Sequence, residues 1–432
     1  MRGVPSNRPL SGAQRVGAWA AAVIAVEMVL LALPLHQFGE PVRGGDAFDY
    51  LRLASNLLHH GVFSDSLRAP FDANVLRSPG YPALLAALQA IGLGSTAALR
   101  AVQLALLGGT AFLTGMSVLR IAGERAAVIA TVATATYLPL VWATTETMTE
   151  TTAALGFAGF TLLVLCARER AGSAALRGWA LAGLVLALTA YVRPTALALS
   201  IPVALAVWWD TRRFATAAVF AATVGLVVAP WAIRTSLAAH TPVALEVGTG
   251  AGRYASAEQN LGKLPIPLDG NGWVPFKLTS RRLSHDLRRG RYTPEEQVEF
   301  DRRMARAAPA VPLRDAVERL PARLRALWGP VDATPRNEAW TTSLRWLGQL
   351  QYWLLAALVC VALVVRRRRL LRDWPLWLPA LYITAVHTVI HVESRYSLPT
   401  RPGLIVLAAT AAAALGRERL PRARALTPAE GL

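Results

Sequence analysis

Acidic and arginine side chains occupy the short polar segments between the long apolar runs of this chain, and they are its best candidates for chemistry. Asp46 and Asp49 lie in the segment GGDAFDYLRLASNLLHHG, and Glu146 and Glu150 lie in TETMTETTAALGF. A carboxylate can take the proton of an attacking hydroxyl group. An arginine suits phosphate because its planar guanidinium matches phosphate geometry in a bidentate way. If the fold brings these groups together, they could transfer a group from a phosphate-bearing substrate.

Each of these residue types also has a structural interpretation. Asp46 stands where a helix would begin, and spacing alone favours an N-cap that Asp49 answers as a capping pair. Arginines at the ends of spans most often contact lipid headgroups or helix C-termini. Glu27 lies inside an apolar run, where we expect a polar contact between helices. His387 and His391 have a spacing that can bind zinc, but without a clear third ligand we favour packing.

The composition is that of a membrane protein. The chain has 432 residues, of which 54% are hydrophobic and 17% are charged, and its mean hydropathy is +0.37. Soluble proteins average about 25% charged residues, so a disordered chain, a nucleic-acid-binding tail and most soluble enzymes are excluded. The net charge of +18 comes from arginine, since Lys263 and Lys277 are the only lysines. Cys166 and Cys360 form neither a disulfide framework nor a zinc-binding pattern.

The apolar runs predict an all-α polytopic membrane protein with about ten transmembrane helices. The first run competes with a cleavable signal peptide, but its length and the lack of an A-x-A site favour an uncleaved span. The predicted spans are Val16–Leu35, Ala97–Leu119, Ala126–Trp142, Met148–Cys166, Gly178–Val192, Thr195–Trp209, Phe214–Trp231, Trp346–Val365, Trp374–His391 and Leu398–Leu415. The fifth and sixth of these are short and form a hairpin through Arg193 and Pro194.

The charges of the connecting loops alternate from one side to the other. Arginines concentrate in the loops near 120–125, 168–177, 212–213, 366–372 and 417–424, which are predicted to be cytoplasmic. The short loops of the opposite side hold Asp46, Asp49, Asp65, Asp72, Glu146 and Glu393. This alternation predicts a multi-pass protein of a bacterial-type plasma (inner) membrane, with both termini cytoplasmic. It also gathers His387, His391, Glu393 and the candidate acids and arginines on the extracytoplasmic face.

The first outer loop has a helical pattern. Asp46, Tyr50, Leu53 and Leu57 share one face, which predicts an amphipathic helix on the membrane surface. The segment RSPGYPALLAALQAIG begins at Arg77 with a rigid turn, and its apolar run is too short to span a bilayer. A second surface helix is therefore expected. A third helical region is predicted at Pro294–Trp328, because a proline followed by two glutamates starts a helix well.

Several segments, taken in order, resemble one family. GDAFDYLRLASNLLHHGVFS and RSPGYPALLAAL resemble the first extracytoplasmic loop of GT-C glycosyltransferases, in the branch of protein O-mannosyltransferases and bacterial lipid-glycan transferases. TETMTETTAALGF resembles the acidic motif at the fourth span, with Glu150 a better fit than Glu146. YVRPTALAL, APWAIRTSLAAHTPVALEVGTG and ESRYSLPTRPGLIVLAA resemble later motifs of the family. The likeness covers nearly all of the chain except parts of 232–345.

The resemblance implies a set of site residues. The family opens its first outer loop with an acid that is followed four positions later by a tyrosine, here Asp46 and Tyr50. Family members often have two adjacent acids, whereas here they are three apart, so the choice between Asp46 and Asp49 stays open. The predicted catalytic residues are Asp46, Asp49 and Glu150. The predicted substrate- and phosphate-binding residues are Tyr50, Arg77, Tyr81, Arg193, Arg234, Arg395 and Tyr396.

The resemblance also implies a domain plan. Residues 1–231 would form the GT-C transmembrane module, whose outer loop 36–95 carries the proposed catalytic acid. Residues 232–345 would form a partly helical extracytoplasmic region. Residues 346–432 would form C-terminal transmembrane helices and a short basic cytoplasmic tail.

The activity implied is transfer of a hexosyl or pentosyl group from a polyprenyl-phosphate sugar to an extracytoplasmic hydroxyl, with inversion, in cell-envelope glycan or glycoprotein synthesis. The acceptor is a lipid, a polysaccharide or a protein, and no nucleic acid is involved. No cofactor is indicated, and a divalent metal is left open. A transporter or flippase of lipid-linked sugars is the alternative, although no internal repeat supports it. A non-catalytic assembly partner is a third.

Overall fold

The computed structural model describes residues 10–32, 46–266, 293–329 and 338–419. These ranges contain α-helices and two 3₁₀-helices, and they contain no β-strand. The helices are α1 (Gly12–Ala32), α2 (Asp46–His60), α3 (Gly80–Ala90), α4 (Thr96–Ala122), α5 (Glu124–Ala135), α6 (Leu138–Thr145), α7 (Glu150–Arg168), α8 (Gly172–Val192), α9 (Thr195–Thr211), α10 (Phe214–Ala239), α11 (Thr249–Asn260), α12 (Pro294–Ala307), α13 (Leu313–Trp328), α14 (Glu338–Val365), α15 (Trp374–Val389) and α16 (Arg401–Arg419). The 3₁₀-helices are Arg367–Arg369 and Ser394–Thr400.

A helix or a pair of helices lies at each of the ten predicted spans. Within the described ranges, six helices are long and apolar enough to cross a membrane: α4, α7, α8, α10, α14, and α16 together with the preceding 3₁₀-helix. A seventh is added if α5 and α6 form one span. The predicted count of about ten is higher because it also includes α1, α9 and α15. The end of the first predicted span, at 33–35, lies outside the described residues.

Two spans differ from their prediction. The third, predicted as one helix, is two helices that meet at an angle of 44°. Pro139 in the first turn of α6 explains the break, because a proline has no N–H to continue the helix before it. The fifth was predicted to be short, but α8 has 21 residues and begins at Gly172. The residues from Ala174 to Arg177, before Gly178, are good helix formers and extend the helix toward its N-terminus.

Small residues bring the central helices close together. A Cβ atom on Gly183 of α8 would lie 2.7 Å from the carbonyl oxygen of Phe220 in α10. Around this approach Trp179, Leu186 and Phe220 are fully buried. Close backbone approach at small residues is typical of membrane helices, where apolar burial against lipid gives little driving force. The packed centre of the bundle lies among α7, α8, α9 and α10.

The outer-loop helices match the sequence prediction. Leu53 and Ala54 of α2 are buried on the predicted face, and α2 packs with α3 through Tyr81 and Leu85. The region predicted at Pro294–Trp328 forms α12 and α13. A capping box starts α12, in which the hydroxyl of Thr293 accepts from the backbone of Glu296 and the glutamate side chain accepts in return. These helices cover the end of the bundle at which the candidate residues lie.

Candidate active site

The two acids of α2 share one arginine. Asp46 and Asp49 lie in the first turn of α2, and Arg77 lies just before α3. One nitrogen of Arg77, Nη2, donates to Asp46 Oδ1 at 2.6 Å and to Asp49 Oδ2 at 2.8 Å. The Arg77 guanidinium also stands 5.4 Å from the centre of the Tyr50 ring. The packing of α2 on α3 therefore places a cation between two carboxylates.

A second arginine reaches the same acid from the far end of the chain. Arg395, in the 3₁₀-helix before α16, donates through Nη2 to Asp46 Oδ2 at 3.2 Å. Its Nε donates to Glu393 Oε2 at 2.6 Å and lies 3.8 Å from Glu150 Oε1. Both oxygens of Asp46 thus meet guanidinium groups. The first outer loop and the last outer turn form one site although 349 positions separate them.

A buried ion pair supports the site from below. Glu150 begins α7 and is 2% exposed, and Arg193 ends α8 and is 8% exposed. Arg193 Nη1 donates to Glu150 Oε1 at 3.2 Å and to Thr149 Oγ1 at 3.4 Å. Oxygen Oε2 of Glu150 and nitrogen Nε of Arg193 have no hydrogen-bond partner among the described residues. The pair therefore retains one donor and one acceptor for a further group.

Aromatic rings line the same region. Tyr50 and Tyr81 meet edge to face, with ring centres 5.2 Å apart. Tyr396 donates to Glu393 Oε1 at 2.5 Å, and the Arg193 guanidinium stands 5.0 Å from its ring centre. These rings limit how the arginines can move, because Arg77 packs on Tyr50 while Arg193 and Arg395 pack on Tyr396.

The two histidines pack around Tyr396. His387 stacks on its ring at 4.5 Å between centres, and His391 Nε2 lies 2.6 Å from its hydroxyl. Within the described ranges, no three or more His, Cys, Asp and Glu side chains group together as metal ligands. The packing role that the sequence favoured over zinc is the one that this geometry fits.

One predicted phosphate-binding arginine lies apart from the others. Arg234 of α10 donates to the backbone carbonyl oxygens of Asn74 at 2.8 Å and Phe63 at 3.3 Å. Its guanidinium also stands 4.7 Å from the ring centre of Trp231. Arg234 therefore fastens the first outer loop to α10, and the structure does not bring it into the ion-pair network of Asp46.

A further acid joins the site that the sequence analysis did not single out. Glu246 follows α10 in the segment APWAIRTSLAAHTPVALEVGTG, and its Oε2 accepts from the backbone N–H of Ser78 at 2.9 Å. A backbone hydrogen bond of 2.8 Å from Val247 to Val75 holds the two segments side by side. Glu246 is the only acid between Asp210 and Glu258, a signal that the sequence did contain.

The acids of the site differ in their ease of ionisation. Burial raises the pKa of Asp46, but the guanidinium groups of Arg77 and Arg395 outweigh burial and hold that pKa well below its usual range. At Glu393 the guanidinium of Arg395 likewise outweighs burial and lowers the pKa of the carboxyl group to about 2. At Asp49 burial prevails over Arg77 and raises the pKa. Burial raises the pKa of Glu246 to about 7. Asp46 is thus ionised at neutral pH, whereas Glu246 titrates near neutral pH.

Comparison with known proteins finds likeness in structure. No protein-family model and no curated protein matches the sequence. The apo oligosaccharyltransferase of Archaeoglobus fulgidus matches with a TM-score of 0.53 and 14% identity, over 93% of this chain and 51% of that one. The oligosaccharyltransferase AglB of the same organism, in complex with an inhibitory peptide and a dolichol-phosphate, also gives 0.53 and 14%, over 93% and 50%. ArnT of Cupriavidus metallidurans bound to undecaprenyl phosphate gives 0.45 and 16%, over 93% and 78%. This chain spans about half the length of the archaeal enzyme.

Proposed function

We propose that this chain, an integral membrane protein with a GT-C fold, transfers a sugar from a polyprenyl-phosphate donor to a hydroxyl group outside the cytoplasm. The product is part of a cell-envelope glycan or a glycoprotein, and the anomeric configuration inverts. Both termini lie in the cytoplasm, and the site of Asp46 faces away from it. The archaeal structural neighbour was solved with a dolichol-phosphate, which supports a lipid-phosphate ligand for the same fold.

One observation carries this proposal: two arginines from opposite ends of the chain converge on the two oxygens of Asp46. Arg77 and Arg395 lie 2.6 and 3.2 Å from that carboxylate. A site that transfers a glycosyl group from a lipid phosphate needs an ionised acid next to cations that can hold the leaving phosphate. A guanidinium group keeps its charge when it is removed from water, and leaving that charge unpaired is costly, so acids stabilise these half-buried arginines while no ligand is bound. The ion pairs are therefore the form that such a site takes before a donor binds.

Donor binding and release of the base follow from one exchange. When the donor phosphate arrives, its oxygens compete with Asp46 for the guanidinium groups of Arg77 and Arg395. An arginine that turns to the phosphate releases an oxygen of Asp46, which is then free to accept a proton. Charge-assisted hydrogen bonds of this kind contribute about 1.5–3 kcal/mol each. The base is thus exposed only when the phosphate is in place.

The reaction needs only the donor, the acceptor hydroxyl group and Asp46. Asp46 takes the proton of the acceptor hydroxyl, and the oxygen forms a bond to the anomeric carbon from the face opposite the phosphate. The bond between that carbon and the phosphate oxygen breaks, and the polyprenyl phosphate leaves with its electron pair. Arg77 and Arg395 stabilise the charge that develops on the leaving phosphate. Attack from the opposite face inverts the anomeric carbon.

The decisive experiment compares two variants of acids in the first outer loop. Wild type, Asp46→Asn and the control Asp65→Asn are purified into nanodiscs and given a panel of radiolabelled polyprenyl-phosphate sugars. The panel is run with Mg²⁺, with Mn²⁺ and with EDTA, which tests the metal that the sequence leaves open. We expect Asp46→Asn to lower the turnover of the active donor by about 10²–10⁴-fold. The control should keep the wild-type rate.

Two results would count against the proposal. Full turnover by Asp46→Asn would remove that residue as the base and point to Asp49. Absence of donor consumption by the wild type with lipid, polysaccharide and peptide acceptors, together with transbilayer movement of the lipid-linked sugar, would establish the flippase alternative instead.

A further inference from the structure

A cavity lies between α14, α15 and α16, away from the acids of the candidate active site. It has a volume of about 400 Å³ and opens to the side of the bundle. Tyr352, Thr384 and Arg401 lie at one end of it, next to Trp328 of α13. Toward the other end the lining is apolar as far as Leu363 on α14. The lining is therefore largely apolar, with its few polar groups gathered at one end.

The polar end holds a buried charge. Arg401 is 1% exposed, and it donates to the hydroxyl of Tyr137, to Ser397 Oγ and to the carbonyl oxygen of Gly329. All of these acceptors are neutral, and among the residues that the structure describes no acid forms an ion pair with Arg401. A buried guanidinium without an anion is costly, and in a membrane protein it is a functional candidate by default.

The length of the cavity matches half a bilayer. Its lining on α14 runs from Tyr352 to Leu363, which at about 1.5 Å per residue is roughly 16 Å. The hydrocarbon core of a membrane is about 30 Å thick, so one leaflet occupies about half of that. A chain that fills this cavity from the polar end would reach the middle of the membrane, which is the reach of one acyl chain.

The surrounding lipid has direct access to the cavity. Of the helices that are long and apolar enough to span, α14 is the least covered by the rest of the protein. Leu354, Val361 and Val364 of this helix are exposed. Because the cavity is open and the little-covered α14 forms one of its walls, a bilayer lipid can reach it without passing through the packed centre of the bundle.

We propose that this cavity holds an anionic glycerophospholipid of the surrounding bilayer, with one acyl chain in the apolar part and the phosphate at Arg401. The lipid supplies at Arg401 the negative charge that the described residues do not place there. It also bears on the candidate active site, because Arg401 donates to Ser397 in the 3₁₀-helix that carries Arg395 and Tyr396. An anionic lipid at Arg401 would hold that turn in place. This inference is independent of the proposed glycosyl transfer.

Lipid binding is measured directly by native mass spectrometry of the full chain. The protein in detergent is titrated with phosphatidylglycerol and with phosphatidylcholine, and the retained lipid molecules are counted. We expect one tightly bound phosphatidylglycerol, held at least tenfold more tightly than phosphatidylcholine. Arg401→Gln should weaken its binding about tenfold or more, because a charge-assisted contact is lost. The control Arg125→Gln, at an exposed residue of α5, should leave binding unchanged.

A second variant separates binding from folding. Ala356 lines the cavity from α14, and Ala356→Trp fills it without touching the charge. We expect this variant to lose the bound phosphatidylglycerol while its helix content and elution volume stay those of the wild type. Equal binding of phosphatidylglycerol and phosphatidylcholine by the wild type would overturn the proposal. So would unchanged phosphatidylglycerol binding by both cavity variants, or displacement of phosphatidylglycerol by a polyprenyl phosphate at equal concentration.

Discussion

Replacement of Glu246 by glutamine tests the electrostatics of the site through its pH dependence. Glu246 is half-buried, accepts from the backbone of Ser78, and lies near the charges of Arg77 and Asp46. Burial raises its pKa from the ordinary 4.5 to about 7. Glutamine keeps the size and the hydrogen-bond acceptor of the side chain but carries no charge at any pH. The variant therefore removes only the titration.

The sign of the effect follows from the direction of this shift. Because the pKa of Glu246 is raised in the folded state, its contribution to stability is fully present below about pH 4.5 and is lost as the pH rises through about 7. Each pKa unit corresponds to about 1.4 kcal/mol, which sets an upper limit of about 3 kcal/mol. Glu246 is only half-buried, so we expect the wild type to lose about 1–2 kcal/mol relative to Glu246→Gln between pH 5 and pH 8.5.

Thermal unfolding in one detergent measures this difference. Melting temperatures of wild type, Glu246→Gln and the control Glu299→Gln, which removes a surface ion pair with Arg303, are compared at pH 5 and pH 8.5. We expect the melting temperature of Glu246→Gln, relative to that of the wild type, to be higher at pH 8.5 than at pH 5. The melting temperature of Glu299→Gln should change with pH as that of the wild type does. In the activity assay the donor KM of the wild type should rise above pH 7, since ionised Glu246 competes with the phosphate for Arg77. A wild type and a Glu246→Gln variant with parallel pH profiles would refute this account.

Two further variants test the packing around the site. Glu150→Gln leaves the buried Arg193 without a charged partner and should destabilise the protein by about 3–5 kcal/mol. The exposed control Glu169→Gln should cost little. Thermal melting measures both variants, and equal melting temperatures for the two would contradict a stabilising ion pair between Glu150 and Arg193. Gly80→Ala places a Cβ atom 2.7 Å from the backbone of α8 and should lower the free energy of unfolding by about 1–3 kcal/mol. The control Gly225→Ala has open space around its Cβ atom and should leave stability unchanged. An unchanged melting temperature for Gly80→Ala would contradict the close approach of α3 and α8.

Local patterns predicted the elements of the fold well. The amphipathic face of α2, the short helix after Pro79 and the helix start at Pro294 all depend on residues within a few positions of each other. The prediction of an all-α GT-C fold rested on motifs in a fixed order, and the likeness to the archaeal oligosaccharyltransferase confirms it. The break between α5 and α6 does not follow from the apolar length of that run, although Pro139 is a local signal for it.

The contacts of the site could not be predicted from spacing. The acid–arginine contact of Asp46 and Arg395 joins positions 349 apart, and no periodicity reaches that far. The ends of helices could be assigned to a side of the membrane, but which neighbours they meet depends on the bundle packing. This explains why Arg193 and Arg395 lie in the network and Arg234 does not, although all three were predicted to bind phosphate.

The long-range origin of the site has a consequence for how its residues act. Asp46 and Arg77 are brought together by the small packing of α2 on α3, whereas Arg395 arrives only when the last outer turn is seated on α7 and α13. The carboxylate of Asp46 is therefore held by one local and one distant cation. Loss of Arg395 would leave Asp46 with Arg77, which Asp49 already shares, and a donor phosphate would meet one cation there in place of two. Closure of the whole bundle is what makes the exchange at Asp46 favourable, so variants far from the acids that loosen the last outer turn should raise the donor KM before they unfold the protein.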